Sequence, residues 1–203
     1  AADTLMSRIT DLAIRPGGGT LYSTTRFDGE KAAWTITGTQ LTQLDRDTFA
    51  TGALPGSVPG LTFVSKGGVT ALLSGGGGGN QMTLHSLASD GSFGSEAGLG
   101  SKSQIAGTLV QPTSVDLANG GTAVYGGVQG GNGVARLVFA ANGALLNSAI
   151  TPDTGSVSLR NVGAVESVSI GARSYVLTAG RDDPGVTAFE VTASGALVAR
   201  DTL

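Results

Sequence analysis

The segments GVARLVFAANGALL (133–146) and GVTAFEVTASGALV (185–198) are one phrase written twice, with Gly143 and Gly195 standing 52 residues apart. Leu145 and Leu197 keep the same spacing. A further step of 52 back reaches Gly91 and Phe93 in NQMTLHSLASDGSF, and one more reaches Leu41 in KAAWTITGTQL. Four units therefore share one period. A fixed period of this size constrains the fold more than composition does, because each unit must be a supersecondary element that buries its apolar face against the next copy.

The remainder of each unit follows the same phase. Ahead of the anchors lie TLYSTT (20–25), TALLSG (70–75), TAVYGG (122–127) and SYVLTAG (174–180), and ahead of those ITDLAI, LTFVS, PTSVDL and VESVSI. After the anchors come LTQLDRDTF, SFGSEAGL, ALLNSAI and ALVARDTL. Each unit reads as four short β-rich segments separated by Gly, Asp and Asn turns. Glycines interrupt almost every window that could be helical, at about 1 kcal/mol each relative to alanine. Four strands in roughly 40–50 residues is the period of a propeller blade. The expectation is an all-β chain, a β-propeller of four ~52-residue, four-stranded blades near 6–52, 58–100, 107–154 and 160–203, forming one domain or a half-propeller. AADTL (1–5) nearly repeats ARDTL (199–203) and is expected to be the remnant outer strand of a preceding blade.

Composition narrows the function classes. The net charge is −3 and the twelve basic residues are scattered, so nothing favours nucleic acid or an anionic membrane. No apolar run reaches the roughly 18–20 residues of a membrane helix. The chain has no cysteine, which removes disulfides, thiolate metal sites and thiol catalysis, and its one histidine, His85, cannot build a multi-histidine centre. No G-x-S-x-G nucleophile elbow occurs. Aligned by the period, His85 stands with Leu137 and Phe189, and near Trp34, at a blade-core position.

The fourth unit, VGAVESVSIGARSYVLTAGRDDPGVTAFEVTASGALVARDTL, resembles blades of large secreted bacterial proteins, in which a phrase close to sYvfvaG..DdGvsvFrv..dGtL recurs, sometimes beside RTX-type calcium-binding domains. More distantly it is similar to lactonase-type seven-bladed propellers. The match is good over 161–203, fair over 110–150 and weak before that. It implies a fold and a secreted, extracellular, bacterial setting, and carries over no catalytic residue.

The glycine run GGGGGN (75–80) occupies the hairpin filled elsewhere by RFDGE, VQGGNG and GRDDPG, and leads into a strand without the Lys-Ser/Thr of a phosphate loop. The acidic hairpins are the metal candidates. Asp28 in RFDGE and Asp182 and Asp183 in GRDDPG place oxygen ligands at equivalent turns, the chemistry calcium requires. Plain hairpin turns are the competing reading. Asp11, Asp116 and Glu166 lie on or beside the innermost segments and are the channel-lining candidates. No cofactor is expected; calcium at the acidic hairpins is the alternative.

Three functions remain. The first is a non-catalytic extracellular scaffold or interaction module taking a protein or glycan ligand. The second is a lactonase-like or carbohydrate-active enzyme using channel-facing carboxylates. In the third, half-propellers pair through blade edges, two copies completing a ring.

Overall fold

The computed structural model describes residues 9–25, 30–48, 60–75, 82–99, 109–128, 131–183 and 185–203. These form sixteen strands and no helix. AADTL, Asp28 and all but the first residue of GGGGGN lie outside the described residues.

The strands fall into four sheets of four. The first blade is β1 (Ile9–Ile14), β2 (Thr20–Thr25), β3 (Glu30–Thr37) and β4 (Gln40–Thr48). The second is β5 (Gly60–Lys66), β6 (Val69–Gly75), β7 (Thr83–Leu87) and β8 (Phe93–Gly98). The third is β9 (Leu109–Asp116), β10 (Thr122–Val128), β11 (Gly133–Phe139) and β12 (Leu145–Pro152). The fourth is β13 (Val162–Ile170), β14 (Arg173–Gly180), β15 (Val186–Val191) and β16 (Leu197–Thr202). In every sheet the strands pair antiparallel in chain order, giving a four-bladed β-propeller of simple meanders.

Turn chemistry closes the meanders. Gly91, Gly143 and Gly195 take φ of 96°, 80° and 77° between the third and fourth strands of their blades, a conformation that costs only glycine nothing. The same two backbone bonds recur at each turn, for example Gly143 N–H to Ala140 O and Ala140 N–H to Ala144 O. The first blade is the exception: its hairpin is a tighter one, with Thr37 paired to Gln40 and Gly38 at φ 60°.

The core lies between the sheets. Tyr22, Ala33, Leu61 and Leu72 pack at the first seam, Leu73, Leu84, Leu109 and Leu137 at the second, and Tyr125, Val134, Val176 and Phe189 at the third. β10, between two blades, is buried along its whole length, whereas β14 buries only Val176 and Thr178. The innermost strands β1, β5, β9 and β13 follow one another side by side. Among the described residues no strand pair joins the fourth blade to the first as closely as those seams.

Each blade thus has two faces: a forward face towards the next blade and a backward face towards the previous one. On the second strand, Tyr22, Leu73 and Tyr125 point forward and are buried by the following blade. The pairs Leu21–Trp34, Leu72–His85, Val124–Leu137 and Val176–Phe189 occupy the backward faces. The two forward tyrosines also donate across their seams, Tyr22 Oη to Gly91 O at 2.7 Å and Tyr125 Oη to Gly195 O at 2.6 Å.

Candidate functional site

Antiparallel order puts the starts of the inner strands, the second-to-third-strand hairpins and the blade connections on one rim. The remaining hairpins line the other rim. Polar residues gather in three places: in the first seam, where the inner strands meet, and on the first rim.

The first seam holds four ionisable side chains. Lys31 on β3 sits directly across from Asp47 on β4, and His85 on β7 directly across from Glu96 on β8. The two cross-strand pairs face each other between blades. Lys31 Nζ lies 2.6 Å from His85 Nε2, 3.3 Å from Asp47 Oδ2 and 3.9 Å from Glu96 Oε1. Both basic side chains are wholly buried, while the carboxylates reach towards solvent. Burial, reinforced by the Lys31 ammonium, lowers the His85 pKa to about 4, so the imidazole is neutral at physiological pH. Its Nε2 therefore accepts a hydrogen bond from the Lys31 ammonium and its Nδ1 carries the ring hydrogen without a hydrogen-bond partner. Desolvation also lowers the Lys31 pKa, with Asp47 and Glu96 opposing it.

The same position in the other seams is apolar. Lys31 pairs with Thr24 as Val134 pairs with Gly127, and the counterparts of Lys31 and His85 are Met82 with Leu137 and Val134 with Phe189. In one seam of three a lysine–histidine pair stands where the other two have an apolar pair. Asp47, His85 and Glu96 bring one ligand atom each within 4.8 Å of one another, the sole such grouping among the described residues. The Lys31 ammonium already stands where an ion bound to His85 Nε2 would sit, and the cluster supplies its own cation.

Where the inner strands meet, Asp11, Leu61, Gln111, Pro112 and Glu166 line a cavity of about 150 Å³. Asp11 is held there by two backbone bonds, accepting Leu12 N–H at 2.9 Å and, across the seam, Leu61 N–H at 2.7 Å. Desolvation raises its pKa, the two N–H donors oppose that, and the Glu166 carboxylate adds to it. Asp116 does not join them; it lies by the other rim, within reach of Thr122 Oγ1 at 3.3 Å, beside a separate cleft that also holds Arg173 and Glu190. Two of the three channel candidates thus share a cavity.

On the first rim a cleft of about 440 Å³ is lined by Asp153, Ser156, Ser158, Arg160, Asp182 and Asp183. Asp182 accepts from Asn161 Nδ2 at 3.1 Å, and Asp153 accepts Leu159 N–H at 3.1 Å. The carboxylates line one wall without converging as the seam cluster does.

No family model and no curated protein sequence matches the chain. Solved structures do. The likeness is one of fold. A candidate 6-phosphogluconolactonase from Bacteroides uniformis superposes on all of this chain with a TM-score of 0.66 at 16% identity, and the chain spans 57% of its length. A GH43_1 enzyme from Xanthomonas citri complexed with xylose gives 0.60 at 14% identity over 98% of this chain and 74% of that one. The periplasmic gluconolactonase of Pseudomonas aeruginosa gives 0.53 at 16% identity, covering 96% and 71%. The chain therefore spans little more than half of the first of these proteins.

Sequence reasoning missed the seam cluster altogether. Its one visible signal was a lysine and a histidine at repeat positions that elsewhere carry Met82, Val134, Leu137 and Phe189.

Proposed function

We propose that the chain is a non-catalytic propeller segment, an extracellular scaffold that holds interaction surfaces on its rims. The observation that carries this reading is the use of its inner and seam carboxylates. Asp11 holds Leu61 N–H, Asp45 holds Phe93 N–H at 2.9 Å, and Asp153 holds Leu159 N–H. Carboxylates spent on fastening blades and connections are poorly placed to shuttle protons. His85, the only imidazole, is buried and paired. Scattered charge and low lysine content accord with a secreted protein, and the cleft beside Asp182 and Asp183 is the place for a polar protein or glycan ligand and for the calcium those residues suggest.

A second reading, a lactonase-like or carbohydrate-active hydrolase, is favoured by the fold of the solved neighbours and by Asp11 and Glu166 sharing one cavity. One experiment separates the two. The purified chain is incubated with sugar lactones and aryl glycosides, and hydrolysis is expected to stay at the buffer rate. Turnover that vanishes in Glu166→Gln and survives in Asp182→Asn overturns the scaffold reading.

A further inference from the structure

In the first seam an ammonium stands among three atoms that are all metal ligands by type. Lys31 Nζ is 2.6 Å from His85 Nε2, 3.3 Å from Asp47 Oδ2 and 3.9 Å from Glu96 Oε1. The three residues come from β7, β4 and β8, so the cation lies between two blades. One imidazole and two carboxylates form a donor set suited to a borderline divalent ion such as zinc or copper. His85 is wholly buried, and with its ring hydrogen on Nδ1 it already aims the Nε2 lone pair at the cation. Nδ1 itself has no hydrogen-bond partner, since Asp47 Oδ2 lies 3.8 Å from it. Glu96 Oε1 is equally loose, 3.8 Å from Nε2 and 3.9 Å from Nζ. The ammonium fills the space without drawing the ligands together.

A divalent ion uses the same space better. Zinc binds imidazole nitrogen and carboxylate oxygen at about 2.0–2.2 Å, which sets the ligands of a tetrahedral ion about 3.4 Å apart. His85 Nε2 and Glu96 Oε1, 3.8 Å apart, are close to that separation already. The side chains of Asp47 and Glu96 are 35% and 27% exposed, so both carboxylates have room to close inward, and water reaches the ion from their side. The His85 ring is bonded only through Nε2 and Nδ1 is bare, so the ring adjusts without breaking a second hydrogen bond. Lys31 keeps a partner when it leaves, because Asp47 is directly across the β3–β4 ladder and offers its second oxygen nearer to solvent. Its ammonium is 0% exposed and regains water on the way out, which offsets part of the cost of the exchange.

We propose that the first seam is an exchangeable site for a borderline divalent metal ion, zinc or copper, bound by His85 Nε2, Asp47 and Glu96, with Lys31 as the tethered cation that the ion displaces. The loaded site joins β4 of the first blade to β7 and β8 of the second through the metal, and so acts as a clip across one seam. The other two seams carry Met82 with Leu137 and Val134 with Phe189 at these positions and offer no ligand there. The clip is independent of what the rims bind and of the scaffold reading.

Electron paramagnetic resonance of copper(II) added to the whole, tag-free chain tests it. His85 is the only histidine, so any coupling to an imidazole nitrogen comes from this seam. The wild type is expected to show that coupling and His85→Gln to lose it. In zinc titration calorimetry Lys31→Met is expected to tighten binding at least about tenfold, because a like charge a few ångströms from the ion is gone. Glu96→Gln is expected to weaken it by about tenfold or more. Asp182→Asn with Asp183→Asn is expected to leave the copper signal unchanged, which separates the seam from the first-rim cleft. A wild type with no imidazole coupling at millimolar copper overturns the proposal, whether or not the variants fold. Coupling seen only in Lys31→Met also overturns it, since the ammonium then closes the site to metal. So does a zinc affinity that Lys31→Met leaves unchanged. None of these results bears on the scaffold reading, which stands or falls on turnover of lactones and glycosides.

Discussion

Replacing Lys31 and His85 together by the residues of the neighbouring seam, Lys31→Met with His85→Leu, should raise the stability of the protein. The second seam already packs Met82 and Leu137 at these positions, so both side chains have a precedent in the same geometry. Here the pair is a buried ammonium on a neutral imidazole, and exchanging buried charge together with its partner for apolar residues of similar volume is typically neutral or stabilising by about 1–4 kcal/mol. Each single change should do the opposite. Lys31→Met leaves His85 Nε2 buried with only Thr83 Oγ1 at 3.3 Å, at a cost of about 1–3 kcal/mol. His85→Leu removes the closest acceptor of a wholly buried ammonium, leaving Asp47 and Glu96 as its partners, at a similar cost. Urea unfolding of the four proteins at neutral pH gives the coupling energy directly, expected at about 3 kcal/mol or more in favour of the double variant, the gain of the double change added to the two single losses. The wild type carries a second signature. The folded pKa of His85, about 4, lies below its usual 6.5, so between those values the unfolded chain binds a proton that the folded chain refuses. Stability then rises with pH across that window and is lost on acidification, by on the order of 3 kcal/mol. The double variant should lose that dependence. If the double variant is destabilised by the sum of the two single losses, the equivalence of the seams is wrong and the cluster holds the blades together in its own right.

Other outcomes follow from the seams and rims. Tyr125→Phe deletes the bond to Gly195 O and should cost about 1–2 kcal/mol, lowering Tm in a thermal scan by roughly 2–4 °C per kcal/mol. Gly127→Ala should cost about 1–3 kcal/mol because the added Cβ meets Val162 O of the next blade at 2.6 Å. Gly171→Ala, at φ 62° with open space around it, should cost only about 1 kcal/mol, and chemical denaturation compares the two. Asp11→Ala should cost about 1–3 kcal/mol by leaving Leu61 N–H without its acceptor, seen as faster hydrogen exchange at that amide. Calcium should raise Tm if the first-rim cleft binds it, and Asp182→Asn with Asp183→Asn should abolish the increase.

The blade architecture was legible because each strand pairs only with its sequence neighbours, so that period, turn glycines and β-rich segments report the same unit. ITDLAI and TLYSTT coincide with β1 and β2, and the hairpin glycines Gly91, Gly143 and Gly195 fall at one phase in sequence and in φ. Seams are a different matter. Which face of β3 looks at which face of β7 depends on blade packing some 54 residues away, and no periodicity places Lys31 against His85. The channel candidates illustrate the same limit. Asp11, Asp116 and Glu166 all lie on inner strands, but a few residues along a strand move a side chain from one rim to the other, which separates Asp116 from the cavity of the other two.

Among the described residues every sheet is built from four strands consecutive in the chain, and none borrows a strand from another. A unit of 52 residues can accordingly be duplicated or deleted without leaving any strand unpaired, provided the two newly apposed faces match. Copy number is then a variable that recombination can change in single steps, and the Tyr–Leu alternation of the forward faces suits changes of two blades at a time. Lineages built on this plan should differ in blade count more readily than in the internal wiring of any blade.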